Sequence, residues 1–259
     1  TENIRYDGSL KASVILKDLA PFVPALSRFE EPLDLNLVFS GHGKHLDCPT
    51  LRLTNHHGLM IAGEAALSNW DAGMDMYIYG KLGNLIMTKE GINVLMTNLT
   101  GKVPPILQRL DYIRFNGEAA GYLHDLTLTG LFYTGAGMVK TDVMMSIDEQ
   151  SMSRTYSGSV ASADLDLGKL LNQEKKFGKV DFNVELKGFN YKNRYPESYI
   201  KGIISSFEYS QYQYENIMLD GVYKDGGFNG RLSMDDANGS VQIDGNFNVA
   251  KTIPDFNLK

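Results

Sequence analysis

The chain is short of several things, and each shortage removes a class of explanation. It has one cysteine, Cys48, so no disulfide can form within it and its stability has to come from packing. It has no run of about 18 or more apolar residues, which excludes a helical membrane span within it. Basic residues are outnumbered, 25 Lys and Arg against 31 Asp and Glu, and the net charge of −6 leaves no footprint for phosphates. That excludes a nucleic-acid binder. There is no G-x-S-x-G, no phosphate loop and no H-E-x-x-H, and Gly41-His42-Gly43 lacks the rest of a dinucleotide fingerprint. No acid–base pair is singled out among the carboxylates. The expectation is a protein that is not an enzyme and carries no cofactor. No signal peptide is visible, the first residue is Thr1, and strand-like sequence begins at Ile4. An internal stretch of a longer protein is expected.

What is present is strand. With 43% hydrophobic and 22% charged residues in 259, the chain is an ordinary folded one that can bury a sizeable core. Residues 33–41, LDLNLVFSG, return at 180–188 as VDFNVELKG. Both copies alternate apolar and polar residues with period two and close on glycine. A middle copy, IRFNG, ends at Gly117, so the landmarks Gly41, Gly117 and Gly188 are 76 and 71 residues apart (41 to 117, 117 to 188). Strand–turn–strand tails follow each copy: LRLT at 51–54, LTLT at 126–129 and IMLD at 217–220. The chain reads as one segment of approximate repeats, 1–97, 98–161 and 162–259, and such repeats favour a stacked arrangement over one closed core.

Three short helices punctuate the strands. One is predicted over 19–29 behind Asp18, one over 104–112 behind two prolines, and one over 166–177, N-capped by Asp164 or Asp166 and ended by Gly178. Lys89-Glu90-Gly91 reads as a tight hairpin connection, with Ile92 and Val94 in a strand. Asp225-Gly226 and Asn238-Gly239 are two-residue hairpin signals. Asp235 to Gly239 faintly suggests a calcium loop, but the twelfth position is Asn246 rather than Glu.

One cluster invites metal chemistry. His42, His45, His56 and His57 surround Cys48, and His and Cys are zinc ligands. On a regular strand the odd separation of His42 and His45 puts them on opposite faces, so convergence would need a bend at Gly41 or Gly43. Exposed polar-face histidines are the plainer reading.

The apolar phase is the distinctive feature. Roughly fifteen strands with three short helices leave much apolar surface to cover. Either two sheets face each other, or one sheet curls and leaves an apolar trough. The trough would be lined by Leu33, Leu35, Leu37 and Phe39, by Val180, Phe182, Val184 and Leu186, and by Ile217 and Leu219. A closed core remains the alternative for each.

The strings GSLKASVILKDLAPFVPAL, LTLTGLFYTGAG and YENIMLDGVYKDGGFNGRLSMDDANGSVQIDGNF resemble the AsmA-like proteins, and within them the TamB type, the translocation and assembly module. The resemblance covers most of the chain in degenerate, repeat-style form. It implies an elongated β-groove, or β-taco, with an apolar interior. It also implies a periplasmic setting, a parent protein anchored in the inner membrane of a Gram-negative cell, phospholipid acyl chains as cargo, and an outer-membrane β-barrel partner in outer-membrane protein assembly and secretion. It implies no catalytic residues. An interaction scaffold that binds client strands without lipid is the alternative.

Overall fold

The computed structural model describes residues 4–20, 27–148, 150–151, 153–190, 197–225, 227–248 and 255–258. Among the described residues it is mostly β, a single antiparallel, unclosed sheet with three short α-helices, as the alternating text predicts. The fifteen described strands hydrogen-bond in chain order, with no crossover among them. Half of the junctions are hairpins of two to four residues, while those after β1 and β5 are long and still return the chain to the neighbouring position. By its internal contacts the chain divides into two units, Thr1–Leu123 with Gly130–Gly135, and His124–Thr129 with Ala136–Lys259.

The first unit contains β1 (Arg5–Ile15), β2 (Pro32–His42), β3 (His45–Thr54), β4 (Leu59–Ser68), β5 (Tyr77–Thr88) and β6 (Tyr112–Tyr122). It also contains α1 (Lys89–Thr100) and α2 (Pro105–Gln108), and shares β7 (Asp125–Thr134) with the second unit. One apolar row runs across six of its strands: Ala12, Leu35, Leu53, Ile61, Leu85 and Phe115 stand opposite one another in turn. The neighbouring row is Leu10, Leu37, Leu51, Gly63, Leu82 and Gly117. Directly opposed side chains share a face, so period-two alternation in each strand becomes one continuous apolar face. Gly63 follows a register shift in the β4–β5 pairing, between Ala62 and Gly63. A Cβ there would overlap the Lys81 carbonyl oxygen and the Leu82 Cα, so the adjoining backbone occupies the space a side chain needs.

The second unit holds β8 (Gly137–Ile147), β9 (Arg154–Asp166), α3 (Leu167–Leu171), β10 (Phe177–Asn190), β11 (Glu197–Tyr209), β12 (Tyr212–Lys224), β13 (Gly227–Asp236), β14 (Gly239–Asn248) and β15 (Asp255–Leu258). Its rows follow the same rule. Phe182, Ile204, Ile217, Met234 and Val241 are successive partners. So are Thr141, Val160, Val184, Gly202, Leu219, Leu232 and Ile243. A third row is glycine-rich: Val143, Gly158, Leu186, Ile200, Gly221, Gly230 and Gly245. Gly158 has φ 142°, a region L side chains rarely adopt, and its Cβ would overlap the Asp142 carbonyl oxygen.

Several sequence expectations need correction. Lys89-Glu90-Gly91 opens α1 and is not a hairpin connection. Thr88 caps the helix, its Oγ1 accepting from the Gly91 N–H at 3.2 Å, and Gly101 ends it in the left-handed region at φ 77°. Ile92 and Val94 are therefore helical, and the period of Ile92 and Leu95 outweighs the two-residue alternation. The helix predicted over 104–112 closes at Gln108, and Tyr112 already begins β6. The one over 166–177 stops at Leu171, because Asn172 turns left-handed at φ 57°. Asp166 is its cap, accepting from the Lys169 N–H at 2.8 Å. Of the helix over 19–29, residues 21–26 lie outside the described residues, and a 3-10 turn covers Leu16–Leu19. The last hairpin turns on Ala237 and Asn238, one residue ahead of Asn-Gly, because Asp236 pairs directly with Gly239. At the preceding hairpin Asp225 has φ 50°, and Gly226 lies outside the described residues.

Candidate functional site: the apolar face

Each unit closes one end of its apolar face with a helix and leaves the rest partly open. In the first unit Leu33, Leu59, Ile113 and Phe115 are buried where α1 lies on β5 and β6, and Ile92 of α1 is only 1% exposed. Further along the same face Leu35, Leu37 and Phe39 are half-buried. In the second unit Val180, Leu165 and Ile217 are buried, and α3, which packs on β10, has Leu170 buried. Phe182, Val184, Leu186 and Leu219 are half-buried. The residues proposed from sequence as trough lining therefore lie on the less exposed phase of their strands in both units. Of these, Leu33, Val180 and Ile217 are the buried ones.

Covering a half-buried apolar face with an alkyl chain contributes about 0.8 kcal/mol per buried methylene, without any directional partner. Thr141 Oγ1 is the one buried side-chain polar atom without a hydrogen-bond partner among the described residues, and it lies in the row with Val160 and Val184.

The first unit also contains a partly open, largely apolar pocket of about 180 Å³ between α1 and the sheet. Leu33, Leu53, Leu59 and Ile61 form its floor, and Val94 and Leu95 of α1 its roof. Sequence reasoning missed this pocket because it took α1 for strand. It also missed a concavity of about 440 Å³ on the opposite face of the second unit, where Met144, Phe189, Tyr199 and Val222 stand around Lys187. Met144 and Tyr199 sit on the phase the alternation marks as polar, and are 45% and 40% exposed.

The histidine cluster separates into different roles. His42 and His45 face each other across the β2–β3 turn, rings 5.4 Å apart. The bend that convergence requires is present, since Gly43, at φ 53°, makes the turn between the two strands. His45 holds Ser68 Oγ at 2.7 Å through Nδ1, part-buried, and Asp47 Oδ2 at 2.9 Å through Nε2, exposed. Cys48 is buried, and burial pushes its thiol pKa up. His57, on the β3–β4 turn with His56, is bonded to Glu90 Oε1 and Glu31 Oε2, both at 2.7 Å. No three His, Cys, Asp or Glu among the described residues are placed to hold a metal ion.

Among the described residues no helix is long and apolar enough to cross a membrane. No protein family, curated protein or solved structure matches the chain significantly.

Proposed function

We propose that the chain is a non-enzymatic module whose apolar face carries phospholipid acyl chains between the membranes of a Gram-negative envelope. The reading joins the resemblance to the AsmA-like and TamB proteins with one structural observation. In each unit the apolar rows are half-buried over most of their length, with one helix among the described residues packed on the sheet. A periplasmic location, an inner-membrane anchor in the parent protein and a role in outer-membrane protein assembly belong to the same proposal.

The force on an acyl chain would be apolar burial alone. Binding would be indifferent to the position of any single methylene, which suits a cargo that has to slide. The test is native mass spectrometry of the protein purified from a Gram-negative host, with organic extraction of what accompanies it. Stoichiometric phospholipid is expected, with loss in Leu35→Asp and Phe182→Asp variants that keep their circular dichroism. A ligand-free protein contradicts the reading.

A second reading, capture of client strands by β-augmentation, draws on the edge of the sheet. β1 pairs with β2 over its whole length without a register break, and no described strand lies on its other side. Capture of extended barrel segments that survives Leu35→Asp and is lost with a proline in β1 would favour it.

A further inference from the structure

We propose that the pocket beneath α1 is a binding site for a slim apolar group, and that α1 is its cap, latched by His57 held between Glu31 and Glu90. The site rests on the acyl-chain reading only for the identity of its natural ligand; pocket and latch are argued from their own geometry.

The pocket is apolar over most of its lining. Leu33, Leu53, Leu59 and Ile61 rise from the sheet, Val94 and Leu95 descend from α1, and Asn55 and Asn98 appear with Glu31 among its lining. At about 180 Å³ it exceeds the roughly 150 Å³ at which a dry cavity lined by aliphatic residues accepts benzene. Burial of Ile92 at 1% exposure fixes the helix beside it.

The latch joins three segments. His57 lies on the β3–β4 turn, Glu31 on the approach to β2, and Glu90 in the first turn of α1. Each ring nitrogen of His57 takes one carboxylate at 2.7 Å. Only the doubly protonated ring can donate at both nitrogens, so the geometry describes an imidazolium between two anions. The turn beneath is braced. Asn55 Oδ1 accepts from the His57 and Leu59 N–H groups at 3.0 and 2.9 Å, and the Thr88 hydroxyl donates to the His57 carbonyl at 2.7 Å. The same Thr88 oxygen caps α1, so turn and helix start move together.

The charges acting on His57 are those of Glu90 and Glu31. The hydrogen bond to Glu90 comes first, with attraction to both carboxylates adding to it, and together they hold the ring's pKa above its ordinary 6.5. A folded value above the unfolded one means that the folded form binds the extra proton more tightly. The latch is therefore fully present below about pH 6.5 and is lost as pH rises through the raised value.

Three readouts test this in the intact chain. His57 should titrate by NMR with a midpoint above 6.5. Amide hydrogens of α1, corrected for intrinsic exchange, should exchange more slowly at about pH 6 than at about pH 8, and His57→Gln or Glu90→Gln should abolish that difference. Benzene should give saturable methyl shifts confined to Leu53, Leu59, Ile61, Val94 and Leu95. A pH-independent α1 in the wild type, or a pH dependence that survives both variants, overturns the latch. Absence of saturable methyl shifts overturns the site. A latched, benzene-binding protein that carries no phospholipid removes the acyl-chain reading and leaves this one standing; phospholipid bound to a protein with an unlatched α1 does the reverse.

Discussion

The two units apply one device with different fittings. Both turn alternating strands into apolar rows, bury one end under a helix and leave the rest half-covered. In the first unit the cap is the twelve-residue α1, and the row that starts at Ala12 is filled by leucine, isoleucine and phenylalanine. In the second the cap is the five-residue α3, and one row is reduced to backbone at Gly158, Gly221, Gly230 and Gly245. The difference teaches that a helix and a glycine row shape an apolar face in different ways. A long helix roofs a pocket above the side chains. A glycine row removes side chains and leaves backbone on the face, sparingly in the first unit at Gly63 and Gly117 and more fully in the second.

Variants can break or sharpen that comparison. Ile92→Ala removes the buried contact of α1 and should destabilise the protein by about 2–5 kcal/mol, read by urea denaturation. Its counterpart Leu171→Ala in α3, 45% exposed, should stay within about 0.5 kcal/mol. Gly158→Ala should destabilise by about 2 kcal/mol or more, since a Cβ there meets both a positive φ and the Asp142 carbonyl. An unchanged midpoint would show that the backbone at Gly158 accepts a side chain. The two N-caps should behave alike: Thr88→Ala and Asp166→Ala should each lose about 1 kcal/mol. A larger loss for Thr88 would measure its added bond to the His57 carbonyl. Smallest of all, Thr141→Val should be neutral or stabilising by a few tenths of a kcal/mol, because it removes a buried hydroxyl that bonds nothing described.

The β architecture was legible because alternation is a direct consequence of strand geometry. Leu35, Leu37 and Phe39 had to share a face, as did Phe182, Val184 and Leu186, whatever the strands paired with. Pairing in chain order followed from short connections only where two to four residues join the strands, as at β2–β3 and β11–β12; the long links before β2 and β6 gave no such signal. The helices were harder to read. At 88–101, Thr88 as a cap and Gly101 as a stop were both present, yet Ile92 and Val94 satisfy a two-residue period as readily as a helical one. The pocket was beyond reach of the sequence, because it depends on α1 folding back over Leu59 and Ile61. The latch was equally hidden, since Glu31, His57 and Glu90 are far apart in sequence and meet only through the β3–β4 turn. The outer concavity at Met144 and Tyr199 escaped because alternation assigns a face to a position without reporting what that face can hold.

The central claim is that cargo lies on the inward phase of the strands. A photoreactive amino acid placed singly at Leu35 and Val184, and at the outward neighbours Asn36 and Glu185, tests it directly. Irradiation in a Gram-negative host followed by mass spectrometry should give phospholipid adducts at the two inward positions and none at the outward pair. Equal labelling of both phases, or adducts at neither inward position in a folded protein, would contradict the account.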